Sequence, residues 1–282
     1  MFVVEGSLEV RPAVPADGPA IHHLLTHTPR PAVHAWPWEE HLGEEVFLVT
    51  LSHGRLVGAL LAWPDAGPAA WVRLGVLGSG IGVGPWLDRT LPPLLGPLRR
   101  RGARMLAWMD VGGWAGPALK ARRFAPLTRL VTMVKKSRWI PSRAVEGGRL
   151  RPGAAADIPT LTRLDHAAFS PPWWLSGETL ERLRRGSACF LVAERGDELL
   201  GYVEARLVEH GAHIGRLAVD PRAQGQGIGG FLLAGAISRL WERGVERVTL
   251  NTQEENLASR RLYTRFGFHP VGRRVVAWER RV

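Results

Sequence analysis

The stretch RAQGQGIGGFLLAGAISRLWERG (Arg222–Gly244) decides how the second half of this chain folds. Its first nine residues are rich in glycine, at positions 225, 227, 229 and 230. From about Ile228 onward, apolar side chains recur at helical spacing. The preceding segment HIGRLAV (His213–Val219) is apolar enough for a strand, and the dipeptide DP then turns the chain. This order predicts a strand, a glycine loop and a helix.

The glycine loop is predicted to bind an anion. The first N–H groups of a helix have no intrahelical partner, and the helix dipole is positive at that end. Glycines have no side chain to keep phosphate oxygens away from those amides. We therefore expect a pyrophosphate at this loop. The alternative is a tight turn whose glycines serve helix packing alone.

Two other glycine-rich motifs also bind phosphates. Gly225, Gly227 and Gly230 satisfy the dinucleotide pattern G-x-G-x-x-G. Against it, the first glycine comes several residues after the strand, and the next strand ends at Asn251 where a ribose-binding acid is wanted. A triphosphate P-loop is excluded because the sequence has no G-x-x-x-x-G-K-[ST].

The chain repeats itself at offsets of 140 to 144 residues. The matching segments are VRPAVPAD and LRPGAAAD (from Val10 and Leu150), VFLVTLSHGRLVGALL and CFLVAERGDELLGYVE (from Val46 and Cys189), and WVRLGV and IGRLAV (from Trp71 and Ile214). Such self-similarity predicts two copies of one fold. We place them at residues 1–140 and 149–282, joined by a linker at 141–148. Strands, hairpins and a strand–helix–strand crossover in each copy predict a mixed α/β sheet.

The second copy resembles the GNAT (GCN5-related) N-acetyltransferase superfamily. Its motif Q/R-x-x-G-x-G/A is met by Gln224, Gly227 and Gly229. A second motif, N-x-x-[AS]-x-x-L-Y-x-x-x-G-F, is met by residues 256–268, with Asn256 and Tyr263 at its key positions. The resemblance implies two tandem GNAT-like domains of α/β (α+β) class. Each would be a mixed, mostly antiparallel twisted sheet flanked by helices.

By this resemblance the ligand is acetyl-CoA, the acyl donor. The loop would hold its pyrophosphate, and the strand at 217–219 would pair with the pantetheine arm as an added strand does. A backbone N–H near Val219 would stabilise the oxyanion. The implied contacts are Leu217, Ala218, Val219, Arg222, Gln224, Gly225, Gln226, Gly227, Ile228, Gly229, Asn256 and Ser259. Tyr263 would protonate the leaving thiolate; the alternative is a buried aromatic.

The attacking amine must lose a proton, and two residues compete as its acceptor. His213 occupies the position where some family members have a glutamate, and its imidazole titrates in the useful range. Glu204, on the preceding strand, is the competitor. For the acceptor substrate, Trp173 and Trp174 in AAFSPPWWLSGETL (Ala167–Leu180) are similar to the F-x-x-P-W segment of ribosomal-protein N-terminal acetyltransferases. They would form a substrate wall, or else pack a helix onto the sheet.

The first copy lacks both motifs. GVLGSGIGVGPW (Gly75–Trp86) has no Q/R-x-x-G-x-G/A, Asn256 aligns with Gly112, and Tyr263 aligns with Leu119. We predict a degenerate copy that supports, lids or selects substrate, although its glycines could still hold a phosphate. A segment like the tryptophan pair, HAWPWEEH (His34–His41), also occurs in this copy.

Composition narrows the remaining classes. The net charge of +11 comes almost entirely from arginine, which would suit either a polyanionic small molecule or nucleic acid. We expect a cytoplasmic, soluble acyltransferase, monomeric or homodimeric, that acetylates an amine acceptor without metal, membrane or nucleic acid. The alternatives are a non-catalytic CoA-binding sensor and an arginine-rich nucleic-acid binder. The single cysteine, Cys189, is expected to be a buried small hydrophobe.

Overall fold

The computed structural model describes residues 8–28, 30, 33–34, 37–141 and 144–282. Part of HAWPWEEH and two residues of the predicted linker lie outside them. The chain forms two compact units: the first comprises Met1–Arg129 and Val275–Val282, and the second comprises Leu130–Arg274. The compact units thus divide the chain at other residues than the sequence repeat does. The division into domains at 1–140 and 149–282 stays a prediction about the repeat.

The first unit is built around a sheet with three helices. Its strands are β1 (Leu8–Pro12), β2 (Val33–His34), β3 (Phe47–Ser52), β4 (Arg55–Pro64), β5 (Ala69–Leu77) and β6 (Met105–Asp110). Its helices are α1 (Gly18–His27), α2 (Val83–Arg100) and α3 (Gly116–Lys120). Strand β7 (Ala125–Lys135) begins in this unit and ends in the second.

The second unit repeats this order. Its strands are β8 (Gly148–Pro152), β9 (Cys189–Arg195), β10 (Glu198–Val208), β11 (Gly211–Val219) and β12 (Val248–Gln253). Its helices are α4 (Ile158–Ala168), α5 (Gly177–Gly186), α6 (Ile228–Glu242) and α7 (Leu257–Arg265). The last strand, β13 (His269–Arg281), begins here, and its final residues belong to the first unit.

Both sheets are mixed and mostly antiparallel. In the first unit the order is β1-β3-β4-β5-β6, after which Val276–Arg281 of β13 pair with β6. In the second unit the order is β8-β9-β10-β11-β12, after which Leu130–Lys135 of β7 pair with β12. Only β5–β6 and β11–β12 are parallel in these two orders. The predicted fold class, a mostly antiparallel α/β sheet flanked by helices, is confirmed.

The repeated motif at the start of each copy makes the same contacts in both. Arg11 donates two hydrogen bonds to the Asp17 carboxylate, at 2.7 and 2.8 Å. Arg151 does the same to Asp157, at 2.6 and 2.9 Å. In each case the aspartate also accepts the backbone N–H three residues earlier. The repeat therefore encodes a bidentate pair that fixes the first strand against the entry to the first helix.

The helix that follows the glycine loop begins at Ile228, as predicted. Its buried face packs on β9, β10 and β11. Gly201 permits this packing, because a Cβ there would lie 3.0 Å from Leu232 Cδ1 on the helix. Cys189 is buried on the same side, and burial raises the pKa of its thiol, so it is the apolar core residue that the sequence indicated.

A bulge interrupts the central hairpin of each unit. Gly215 is the extra residue in β11, because Glu204 pairs with Arg216 and Ala205 with Ile214. In β5 the extra residue lies between Val72 and Leu74. The sequence match pairs Leu74 with Leu217, but the bulges make Arg216 the structural counterpart of Leu74. The repeat is therefore offset by one residue along this strand.

Candidate active site

Strands β11 and β12 separate partway along their length. They pair only at Ala212–Ile214 of β11, and beyond this point β12 continues against β7. Residues 216–219 remain paired to β10 on their other side. Among the described residues, the edge of β11 that faces the gap therefore presents backbone N–H and C=O groups without a ladder partner. An extended ligand could add to this edge as a strand would.

The bulge places a carboxylate beside this edge. A Cβ on Gly215 would collide with Glu204 Oε2 and would lie 2.7 Å from Arg206 Nη1. Glu204, Arg206 and His213 project from one face of the sheet, since Arg206 and His213 are directly opposed and Glu204 is two residues before Arg206. Tyr202 projects from this face too and packs among apolar residues of α4, so these groups lie on the α4 side.

Glu204 is almost completely buried, with 1% of its surface exposed. Within the described residues neither carboxylate oxygen has a hydrogen-bond partner of good geometry. Burial raises the pKa of Glu204 to about 7, against the opposing effects of Arg206, 4.0 Å from Oε2, and of the nearby Gly215 amide. A carboxyl group in this state exchanges a proton close to neutral pH.

His213 is a weaker base than the sequence suggested. Its Nδ1 lies 3.0 Å from Thr249 Oγ1, and that hydroxyl donates to the backbone oxygen of Ala212 at 3.2 Å. The hydroxyl therefore accepts from Nδ1–H, which leaves Nε2 as the basic nitrogen. Burial, and then the charge of Arg206, lower the pKa of His213 to about 4. The imidazole is neutral at pH 7 and does not titrate in the range expected from sequence.

The glycine loop has the geometry of an anion site. Gly225 and Gly227 have φ of +79° and +86°, a left-handed conformation that glycine adopts without strain. Gly227 is the N-cap of α6 and no side chain caps the helix. Within the described residues the amides of Gly225 and Gly227–Gly230 form no hydrogen bond. These donors remain for a ligand such as a pyrophosphate.

Several polar side chains of the loop form hydrogen bonds or ion pairs within the protein. Gln224 Nε2 donates to the oxygen of Val219 at 3.3 Å, and Gln226 Nε2 donates to the oxygen of Arg222 at 3.1 Å. Arg222 is 77% exposed and pairs with Asp220 at 2.8 Å and Glu198 at 3.3 Å. These carboxylates turn the Arg222 guanidinium away from a purely ligand-directed role.

Helix α7 carries the second motif. Asn256 Oδ1 caps the helix by accepting the Ser259 N–H at 3.0 Å, which leaves the Asn256 amide nitrogen as its ligand-directed donor. Tyr263 is 6% exposed, and burial raises its pKa to about 12, although the Ser259 hydroxyl acts in the opposite direction. The phenol is therefore protonated throughout the neutral range. Helices α6 and α7 meet closely, since a Cβ on Gly229 would lie 3.3 Å from Leu262.

A buried ion pair that the sequence did not reveal organises the α4 side. Asp165 is completely buried and receives two hydrogen bonds from Arg216, at 2.8 and 2.9 Å. The Tyr202 hydroxyl donates to the same carboxylate at 2.5 Å. Arg216 also donates to the backbone oxygen of Trp173 at 2.7 Å. Through Arg216, the strand that bears the bulge holds both α4 and the tryptophan segment.

The two tryptophans are half-buried rather than exposed. The Trp174 ring stacks on His166 with 4.6 Å between centroids, and its N–H donates to the oxygen of Phe169 at 2.7 Å. Trp174 therefore has the packing role that was the alternative in the sequence analysis. Trp173 is tied to the site through its backbone oxygen.

The corresponding cleft of the first unit is filled by the chain itself. Strand β2 pairs with Leu74 and Gly75 of β5, on the side away from β4, where β5 and β6 have separated. Arg30 donates to the backbone oxygens of Gly78 and Ile81 in the loop before α2, at 3.0 to 3.3 Å. This loop covers residues 78–82, against 220–227 in the second unit. Two carbonyl groups of this loop accept hydrogen bonds from the Arg30 guanidinium.

In the part of the chain that the structure describes, no group of three or more His, Cys, Asp or Glu side chains is arranged to hold a metal ion. No helix there is both long enough and apolar enough to cross a membrane.

Sequence comparison finds acetyltransferases. The acetyltransferase (GNAT) family profile matches residues 158–268. Mycothiol acetyltransferase of Thermobispora bispora is 32% identical over 202 residues, which are 60% of this chain and 68% of that protein. Ribosomal protein bS18-alanine N-acetyltransferase of Haemophilus influenzae is 31% identical over 117 residues, 42% of this chain and 78% of that protein. Mycothiol acetyltransferase of Sanguibacter keddieii is 37% identical over 116 residues, 38% of this chain and only 33% of that protein.

Structural comparison extends over nearly the whole chain. A GCN5-related N-acetyltransferase from Sphaerobacter thermophilus has a TM-score of 0.68 and 20% identity, with 99% of this chain and 97% of that chain covered. A tandem GNAT protein from the clavulanic acid biosynthesis pathway has a TM-score of 0.66 and 17% identity, with 98% of each chain covered. At this identity the likeness concerns the fold.

Proposed function

Because the chain belongs to the acetyltransferase (GNAT) family, we propose that its second unit transfers an acetyl group from acetyl-CoA to a primary amine. The observation that carries this proposal is that three features occur together at β11. An unpaired strand edge, a loop of unpaired amides and a buried carboxylate with a pKa of about 7 lie along one short strand. A site that binds an extended acyl donor and accepts a proton beside it requires these three features.

The donor is bound mainly by backbone groups. The amides of Gly225 and Gly227–Gly229 hold the pyrophosphate, and the open edge at Leu217–Val219 pairs with the pantetheine arm. The Asn256 amide nitrogen and Ser259 contact the arm from α7. Arg222 contributes positive charge at the loop, reduced by its pairing with Asp220. Acetyl-CoA supplies a thioester, whose carbonyl carbon is open to attack.

Glu204 is the preferred proton acceptor. The amine nitrogen forms a bond to the carbonyl carbon, the carbon–sulfur bond breaks, and the proton of the amine passes to Glu204, directly or through a water. About half of Glu204 is ionised near pH 7, given its pKa of about 7. His213, with a pKa of about 4, retains a basic Nε2 but has much less driving force. We assign His213 a positioning role through its contact with Thr249.

Tyr263 assists the departing sulfur. A phenol with a pKa of about 12 is a much weaker acid than a thiol near 8.5, so complete proton transfer from it runs uphill. The hydroxyl instead stabilises the thiolate by donating a hydrogen bond as charge develops. A backbone N–H near Val219 does the same for the carbonyl oxygen.

The acceptor approaches from the α4 side, where Glu204 projects from the sheet. Trp173 and its neighbours, held by Arg216, form one wall of that approach, and Trp174 supports the wall from behind. Peptide N-termini, lysine side chains and small amines are all compatible with this wall. The names of the relatives point to mycothiol in one case and to alanine of ribosomal protein bS18 in the other.

The first unit has a supporting role. Arg30 occupies the position that the pyrophosphate of the donor would take at the loop. Strand β2 occupies the position that the pantetheine arm would take beside the strand. We therefore expect one acetyl-CoA per chain, bound by the second unit.

Calorimetric titration of acetyl-CoA into the full chain tests the proposal, together with a thiol-release assay. The assay uses a peptide with a free alanine N-terminus, an N-terminally blocked lysine peptide and a polyamine. We expect one binding site, and thiol release with at least one amine that Tyr263→Phe slows roughly 100-fold while binding persists. Binding without any turnover would indicate a CoA sensor, and absence of binding would overturn the proposal.

A further inference from the structure

A basic groove lies at the end of β11 opposite the glycine loop. Its volume is about 770 Å³, and it is bounded by the turn between β10 and β11, the end of α6 and the segment after β7. The charged and titratable lining residues are Lys136, Arg138, His210, Arg243, Arg247 and Glu246. Five of these six side chains are basic, and Glu246 is the single carboxylate. The length of β11 separates the groove from the glycine loop.

The cations in this groove are not neutralised by the protein. Within the described residues, Lys136, Arg138, Arg243 and Arg247 form no ion pair. Some arginines elsewhere in the second unit, such as Arg151 and Arg216, pair with carboxylates, and others among the described residues, such as Arg239, form no ion pair. Placing four unpaired cations around one concavity costs repulsion, which a bound polyanion would relieve.

An exposed aromatic residue, Trp139, follows the lining residue Arg138 directly in the chain. Trp139 is 62% exposed, the most exposed of the large hydrophobic residues that the structure describes. The backbone of Trp139 is held in place, because the completely buried Lys135 donates to its carbonyl oxygen at 2.6 Å. The exposed indole of a residue adjacent to Arg138 offers a flat surface on which another ring can stack.

The wall of the groove is well ordered by backbone contacts. The Ala212 amide donates to the oxygen of Arg247 at 2.9 Å, and a Cβ on Gly211 would collide with that same oxygen. The turn before β11 and the segment before β12 are therefore held together. This contact sets the distance between the backbones of the two lining segments.

We propose that this groove binds single-stranded nucleic acid, with phosphates on the four unpaired cations and a base stacked on Trp139. Unpaired cations alone would suit any polyanion. The adjacent exposed indole selects among them, because nucleobases stack on aromatic rings whereas the carboxylates of an acidic peptide do not. This inference departs from the expectation that nucleic acid is not a partner. It does not depend on the acetyl-transfer proposal.

Fluorescence anisotropy with a labelled oligouridylate of about twelve nucleotides tests the inference across a series of salt concentrations. Four phosphate contacts predict that log K falls with log salt at a slope of about −3. Arg138→Ala/Arg243→Ala should reduce the slope to about −1.5. Trp139→Ala should weaken binding roughly 5- to 150-fold with the slope unchanged. Saturating CoA should leave binding intact, since the glycine loop lies elsewhere.

A matched control removes the same charge elsewhere. Arg89 and Arg99 are exposed arginines of α2 in the first unit. Arg89→Ala/Arg99→Ala should leave affinity and slope unchanged. Equal losses in both double variants would show non-specific attraction and overturn the groove assignment. Equal binding of polyglutamate, unaffected by Trp139→Ala, would identify an acidic protein partner instead. Absence of binding at low salt would also refute the proposal.

Discussion

The carboxylate of Glu204 lies directly against the Cα of Gly215, in the space that any other residue's Cβ would occupy. This contact puts a buried acid at the bulge of β11, next to the open strand edge. If Glu204 accepts the proton, kcat should rise with pH through about 7, the pKa that burial gives it. Glu204→Gln should abolish this rising limb of the pH profile and lower kcat roughly 10²- to 10⁴-fold.

His213→Ala is the comparison for this pH profile. It should lower kcat less and keep the limb near pH 7, because the pKa of His213 lies at about 4. A limb that survives Glu204→Gln but disappears in His213→Ala would reverse the assignment of the base.

Glu204 should also make stability depend on pH. Its pKa rises from an ordinary value near 4.5 in the unfolded chain to about 7 in the fold, so the folded state holds the proton more tightly. The contribution of this residue to folding is therefore fully present below about pH 4.5. This contribution to the free energy of unfolding, on the order of 3 kcal/mol, is lost as the pH rises through 7.

Urea unfolding of the wild type and Glu204→Gln at a series of pH values measures this effect. The difference between the two free energies of unfolding should change between pH 4.5 and 7 in favour of the variant. A difference that stays constant with pH would show that the carboxyl group is not buried as described.

The ion pair between Arg216 and Asp165 should be essential to the second unit. Arg216→Ala leaves the completely buried Asp165 without its cation, which costs about 3–5 kcal/mol. Arg216→Lys keeps the charge but loses the paired geometry, so its cost should be smaller. Arg185→Ala removes an exposed arginine paired with Glu181, so it should have little effect on stability. Thermal unfolding of the three variants compares them, and similar midpoints would contradict the buried pair.

The two left-handed glycines before the long helices should differ in function. Gly227 and Gly80 have φ of +86° and +84°, so alanine costs each loop a similar strain of about 1–2 kcal/mol. Gly227→Ala should weaken acetyl-CoA binding about tenfold or more, because its Cβ obstructs the amides that a phosphate approaches. Gly80→Ala should leave binding unchanged. Calorimetry decides, and a loss in Gly80→Ala would show that the first unit binds the donor.

Local chemistry made much of the fold predictable from sequence. The repeat of VRPAVPAD reappears as two identical arginine–aspartate pairs, since both partners lie within seven residues of each other. The helix start at Ile228 follows from glycine conformation and helical periodicity, which are local too. The mixed sheet then follows from the order of the elements.

Long-range placement was not predictable in this way. Arg216 meets Asp165 on another element, and no charge pattern in the sequence singles out that pair among so many arginines. The bulge at Gly215 depends on a carboxylate from the neighbouring strand, so the shared dipeptide RL aligned the two copies one residue out of register. The pKa of His213 depends on burial by the same neighbours, which sequence position alone does not give.

The order of synthesis has a consequence for the first unit. Residues Val276–Arg281 pair with β6, so the nascent first unit has all its other described strands long before this one leaves the ribosome. At ordinary translation rates the delay is on the order of 10 s. During that time the backbone groups of β6 that await this strand can pair with another chain. A gene fragment that stops after the first repeat would leave that waiting edge permanently open.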